Sequence, residues 1–177
     1  MSVYDLNKNV SAFLDMLAYS EGTIRFGNQN GYNVIVGGAL FDDKGTPEFF
    51  DDYADHPRKL VSLPKLKIKS TAAGRYQLLS RYYDYYKKKL GLKNFEPLAQ
   101  DLIAIQQIKE QKAFQCILDG DIKTAIDRCK NIWASLPGAG YGQHEHKLEN
   151  LLKEYDRALQ AFPAKKPPLE ASVRPRF

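Results

Sequence analysis

Apolar residues recur three and four positions apart in six stretches of this chain, and that spacing confines it to a mostly helical fold. Val10, Phe13, Leu14, Leu17 and Ala18 share one face of a first amphipathic helix, with Asn7 or Asn9 as its cap and Gly22 as its stop. Over 77–90 the pattern returns in Leu78, Leu79, Tyr82, Tyr83, Tyr86 and Leu90, and Gly91 ends it. Pro97 suits the first position of a helix that carries Leu98, Leu102, Ile105 and Ile108 and runs to about Gln111. A short helix over 113–118 follows. Asp121 caps the next, with Ile122, Ala125, Ile126, Cys129, Ile132 and Trp133 on its apolar face, and a last helix covers 146–162.

Only residues 32–41 read clearly as β structure. Two short β-prone runs flank Gly37-Gly38 there, the pattern of a hairpin. Residues 42–56 are acidic and turn-rich and read as an exposed loop. Residues 58–69 (RKLVSLPKLKIK) are basic with apolar residues interspersed and read as a strand or a mobile flap. Pro137 through Gly142 must be a loop. Residues 163–177 are proline-rich and basic and read as a flexible tail. The expectation is one α+β domain over 1–162, in which a small β lobe and a helical lobe flank a cleft.

Composition narrows the function classes. At 177 residues, 44% hydrophobic and 27% charged, the chain suits a soluble globular protein that can bury a core without disulfide staples. No stretch reaches the ~18 apolar residues of a membrane span. The start, MSVYDLNKNVSAF, has no basic segment followed by an apolar run, so no signal peptide is expected and synthesis is placed in the cytoplasm. The net charge of +5 favours an anionic polymer without choosing among them. Cys116 and Cys129 sit in apolar helical contexts and read as buried free thiols. His144 and His146 lack a third ligand at suitable spacing, so no metal or cofactor is expected. The run from Tyr82 to Lys89 mixes rings and lysines as nucleic-acid binders do, but at helical spacing half the rings face a core. No nucleic-acid partner is expected.

One carboxylate stands out. Glu21 falls at the C-terminal end of the first helix, where the helix field disfavours its ionised form. A carboxylic acid can protonate a glycosidic oxygen at neutral pH only when burial or dipoles raise its pKa. Gly74-Arg75-Tyr76-Gln77, read as a loop entering a helix, offers backbone access and an amide for sugar hydroxyls or acetamides. The Pro137–Gly142 loop carries one aromatic, Tyr141, and can act as a lid whose ring stacks on a sugar.

These segments, read together, resemble a known family. Residues 13–23 (FLDMLAYSEGT), Val34-Ile35-Val36-Gly37-Gly38, Asp55-His56-Pro57-Arg58-Lys59-Leu60-Val61, residues 69–81 (KSTAAGRYQLLSR) and 125–142 (AIDRCKNIWASLPGAGYG) closely resemble the lambda-type phage endolysins, in the same order. The resemblance implies a lysozyme-like fold. It implies a lytic transglycosylase that cleaves the β-1,4 bond between N-acetylmuramic acid and N-acetylglucosamine in peptidoglycan, leaving 1,6-anhydromuramic ends. It matches Glu21 to the catalytic glutamate and puts mobile lips at about 59–69 and 136–147. Ser20, Arg75, Tyr76, Gln77, Tyr141 and Gly142 lie in its motifs and are carried as substrate-binding residues. It further implies host-cell lysis by a monomer held in the cytoplasm until a holin-type membrane permeabiliser releases it to the periplasm or wall. The acidic stretch around Asp42–Asp51 is longer than in the family pattern, and the tail departs from it.

The residues also bear on mechanism. Hydrolytic glycosidases of the usual kind need two carboxyl groups. Many phage lysozymes place an aspartate nine positions after the catalytic glutamate. Here that position is Asn30, and no acidic residue occurs from Gly22 through Phe41. A lone carboxylate fits attack by the muramic C6 hydroxyl. The alternatives are a hydrolytic muramidase that draws a second carboxylate from the 42–55 loop and a non-enzymatic wall-binding module.

Overall fold

The computed structural model describes residues 7–26, 30–37, 47–142 and 144–162. The second half of the Gly37-Gly38 hairpin, the start of the acidic loop and the proposed 163–177 tail lie outside them.

Helix α1 (Lys8–Ser20) begins where the Asn7 side chain accepts a hydrogen bond from the Asn9 backbone N–H at 2.9 Å. Asn7 is therefore the cap, while Asn9 donates its amide to the Leu118 carbonyl. Phe13, Leu14, Met16, Leu17 and Ala18 have no exposed surface, and Ser11 and Asp15 on the opposite side are buried too. A helix covered all round belongs in the middle of a core. So α1 is central, a correction to the one-sided amphipathic helix read from its spacing. Truncating Phe13 to alanine there would cost about 3–5 kcal/mol.

Five further helices follow among the described residues: α2 (Ser80–Leu90), α3 (Pro97–Glu110), α4 (Phe114–Leu118), α5 (Ile122–Cys129) and α6 (Leu148–Ala161). Helix α6 lies along α1, and Ile117, Ala125, Ile126 and Leu136 complete that core. Cys129 is buried within it and Cys116 half-buried, both as free thiols. Helix α3 bridges to a second, aromatic core. Its Ala104, Ile105 and Ile108 join the first, while Ile103 joins Tyr83, Tyr86, Phe95 and Phe50. Tyr82 and Tyr85 of α2 are exposed, so half of its rings do face inward, as the spacing predicts.

Among the described residues the β lobe holds one two-stranded sheet. Strands β1 (Val61–Leu63) and β2 (Ile68–Ser70) pair antiparallel, with Val61 opposite Ser70 and Leu63 opposite Ile68. A 3-10 turn over Pro64–Leu66 joins them, so the basic flap is a hairpin. Val34 bridges to Phe49 and Ile35 to Ala73, which ties residues 34–35 to two later segments. The 42–56 segment is not simply an exposed loop. Phe50 and His56 are buried, and His56 packs 4.8 Å from Phe95, with Nε2 2.9 Å from the Leu78 carbonyl. No helix among the described residues is long and apolar enough to cross a membrane.

The helix expected over 77–90 starts only at Ser80. Ala73 and Leu78 exchange both backbone hydrogen bonds, closing residues 73–78 into a tight antiparallel turn. That turn needs left-handed backbone at Gly74 (φ 79°) and Gln77 (φ 49°). A Cβ on Gly74 would fall 2.3 Å from Gln100 Oε1, so only glycine fits.

Candidate active site

Glu21 is the C-cap of α1, with its backbone N–H bonded to the Leu17 carbonyl at 2.9 Å. Gly22 follows at φ 73°, the left-handed cap that ends many helices, and turns the chain away. The Glu21 side chain is half-buried at this corner. Burial pushes its carboxyl up to about 7, and a hydrogen bond from Ser135 pulls in the opposite direction. The α1 C-terminus adds partial negative charge beside it.

Ser135 comes from the far end of the chain. It sits between two anchors, Trp133 and Leu136, both buried. Trp133 donates its indole N–H to the Tyr76 carbonyl at 3.3 Å. Between these anchors Ser135 Oγ donates to Glu21 Oε1 at 2.6 Å. It also lies 3.0 Å from Ser20 Oγ, whose own hydroxyl reaches the Leu17 carbonyl at 2.9 Å. The His146 backbone N–H bonds the Ser135 carbonyl at 2.9 Å, and the His146 ring packs 5.2 Å from Tyr19. The carboxylate is thus held by the Ser135 hydroxyl, which Ser20 contacts in turn.

A groove of about 340 Å³ is lined by Gln77, Arg81, Tyr82, Asn131, Trp133 and Tyr141 among others. It meets the acid through one short segment. Asn131 through Ala134 line the groove, and the next residue, Ser135, holds Glu21. The lip beyond is fastened at two points. The Glu145 carboxylate accepts from the Gly138 N–H at 2.8 Å and the Gly140 N–H at 2.7 Å, while the Tyr141 hydroxyl donates to the Asn131 carbonyl at 2.8 Å. These backbone bonds lower the Glu145 pKa. A second cavity, of about 10 Å³ among Ala73, Phe95 and Gln100, is too small for a sugar.

The sequence matches the family described as Endolysin over residues 11–161. This chain belongs to the endolysin family. It is 58% identical over 158 residues to the endolysin of Escherichia phage lambda, covering 87% of this chain and 93% of that one. It is 50% identical over 158 residues to the endolysin of Escherichia phage P2, covering 86% and 93%. Among solved structures it resembles bacteriophage lambda lysozyme complexed with a chitohexasaccharide, with a TM-score of 0.79 and 56% identity over 88% of this chain and 97% of that one. Another lambda lysozyme structure matches with a TM-score of 0.75. The fold is the lysozyme-like α+β fold expected from the motifs.

In this endolysin-family chain, the residues singled out from sequence divide into three groups. Glu21 and Ser20 meet Ser135. Gln77, Tyr76 and Tyr141 line the groove, with Gly142 exposed next to Tyr141. Arg75 departs from the expectation of a substrate contact, because its side chain is fully buried. It pairs with Asp15 at 2.5 Å and bonds the Asn30 carbonyl, while its backbone N–H reaches Gln100 Oε1 at 2.8 Å. The Thr23 hydroxyl donates to the Arg75 carbonyl at 2.6 Å. Arg75 therefore staples α1, the turn behind Glu21 and the 73–78 turn together. Tyr76 is buried as well and gives its hydroxyl to Asp101 at 2.6 Å. Gln77 donates its amide to the Gly74 carbonyl at 3.0 Å, which holds its own turn closed.

Sequence reasoning missed Ser135. A serine in a loop carries no signal of its own; its place between Trp133 and Leu136, both buried, is the signal that could have found it.

Proposed function

We propose that this chain is a peptidoglycan lytic transglycosylase, cutting between N-acetylmuramic acid and N-acetylglucosamine. The observation that carries this reading is Glu21, a half-buried carboxyl whose pKa lies near 7 and whose Oε1 is fixed by Ser135. Such a group holds its proton at neutral pH and can also take one back. The groove, with the exposed ring of Tyr141 on its lip, suits a sugar chain. The chitohexasaccharide carried by the lambda lysozyme structure supports the same reading.

In the proposed reaction, protonated Glu21 delivers its proton to the glycosidic oxygen as the bond from muramic C1 breaks. The C6 hydroxyl of the same sugar then bonds to C1 and gives its proton to the Glu21 carboxylate. The acid is regenerated, no water is consumed, and the internal nucleophile gains from proximity. Ser135 donates to the carboxylate while it is ionised, which leaves Oε2 to address the substrate.

Two of the carboxylates near the β lobe are engaged in ion pairs, which supports this route over hydrolysis. Glu48 is paired with Lys59, and Asp55 with Arg58 and Lys87, while Asp51 and Asp52 are exposed and are the carboxylates a hydrolase would draw on. Asp42 and Asp43 lie outside the described residues. Mass spectrometry of digested sacculi tests the proposal. Muropeptides ending in 1,6-anhydromuramic acid, lighter by one water and unlabelled in heavy-oxygen water, are expected. Labelled reducing ends would mark a hydrolase with a second carboxylate.

The lysis role follows from the same reading. The chain acts as a monomer on the wall once a holin-type protein permeabilises the membrane. Expression without such a permeabiliser should lyse cells slowly, and rapid lysis would show that the chain crosses the membrane unaided.

A further inference from the structure

Helix α2 opens on the groove with a cation that its own stability does not explain. Arg81 is the second residue of α2, within the first turn, where the helix field opposes positive charge. Among the described residues it is the one charged side chain lining the groove, and it makes no ion pair there. Its guanidinium lies 4.8 Å over the Tyr82 ring, with Nη2 3.3 Å from the Tyr82 hydroxyl. That stacking holds the planar fork in place while leaving its other N–H groups to a ligand. Tyr82 is exposed and lines the same groove as Tyr141. A further lining ring, Tyr86, has its hydroxyl taken by Glu110 at 2.6 Å. The groove thus offers rings for sugar faces and, at one place, a braced cation.

An uncharged glycan can accept its N–H groups but does not call for its charge. The peptide stem borne by the muramic lactyl group does, because it carries free carboxylates. We propose that Arg81, braced on Tyr82, binds a carboxylate of the peptide stem and so sets this groove's preference for stem-bearing strands over uncharged glycan. The inference rests on the peptidoglycan reading above. A guanidinium–carboxylate contact of this kind is charge-assisted and directional.

The test compares wild type with Arg81→Gln on soluble glycan strands with intact stems and on the same strands with stem carboxylates converted to amides. Loss of one charged hydrogen-bonding contact should raise KM on intact strands roughly tenfold. Amidation should impose the same increase on the wild type and leave the variant's KM where it was. Both proteins should bind chitohexasaccharide, which has no carboxylate, equally. Arg81→Lys should recover part of the difference, since it restores charge without the planar fork. Equal sensitivity of both proteins to amidation would overturn the proposal, as would a matching loss of chitohexasaccharide binding in the variant. If the wild type cuts no strand, the enzymatic reading fails, and the affinities for uncut intact and amidated strands still decide the role of Arg81.

Discussion

Ser135 Oγ stands 2.6 Å from Glu21 Oε1, joining two residues 114 positions apart in the chain. The hydroxyl favours the ionised carboxylate and burial favours the protonated one, so removing it should raise the Glu21 pKa further above about 7. In Ser135→Ala the alkaline limb of the kcat/KM profile should move to higher pH, because the protonated acid survives longer. Lost orientation should lower the maximum about tenfold. A limb that stays in place or moves down would refute the coupling.

Glu21→Gln should abolish lysis, with a loss of about 10²–10⁴-fold or more, while leaving the fold intact. It should also change the pH dependence of stability. Burial gives Glu21 a folded pKa of about 7 against an ordinary value of 4.5. Between those values the folded state binds the proton and the unfolded state does not, so wild-type stability falls as pH rises. The total loss is up to ~3 kcal/mol and is complete above the folded pKa. The variant has no such slope. Its melting temperature relative to wild type should therefore climb from pH 4.5 to pH 8, and parallel curves would argue against a raised pKa.

How much of this was legible before the fold was known differs from residue to residue. The spacing of Phe13, Leu14 and Leu17 located α1 and placed Glu21 at its end. That spacing could not reveal that Asp15 is buried too, because its partner Arg75 lies 60 positions away. Gly74 through Gln77 passed for a helix entrance because residue type does not announce the left-handed backbone at Gln77. Motif likeness pointed to Arg75 as a ligand contact, whereas its fixed place comes from framework bonds. The sequence marked Gly37 as a turn, but the partners of Val34 and Ile35 are non-local. Patterns of period 3.6 are local and readable, while pairings across tens of residues are not.

The Asp15–Arg75 pair gives a stability test. Asp15→Ala leaves a fully buried guanidinium without its carboxylate, which should cost about 3–5 kcal/mol in denaturant unfolding. A loss below 1 kcal/mol would mean that the Asn30 carbonyl and the Tyr32 and Tyr76 rings, 5.0 and 5.9 Å from the guanidinium, suffice.

Glu145 tests the lip. Its carboxylate is the shared acceptor for the Gly138 and Gly140 N–H groups. Glu145→Ala should loosen the loop that carries Tyr141, raising KM several-fold with a smaller change in kcat. Because the bonds lie at the surface, stability should shift by less than about 1 kcal/mol. A kcat loss with unchanged KM would place the effect at the acid instead.

The burial of α1 sets how motion is shared across the active site. Amides from Phe13 to Ala18 are enclosed on all sides. Their exchange with deuterium should require opening of the whole molecule, whereas amides of Gly140 and Tyr141, on an exposed loop, should exchange through local fluctuations. The proposed proton donor, Glu21, should therefore end the slowest-exchanging segment, and the Tyr141 lip should exchange faster. On the proposed reading, accommodation of a bent, cross-linked polymer would fall to the lip while Glu21 stays still.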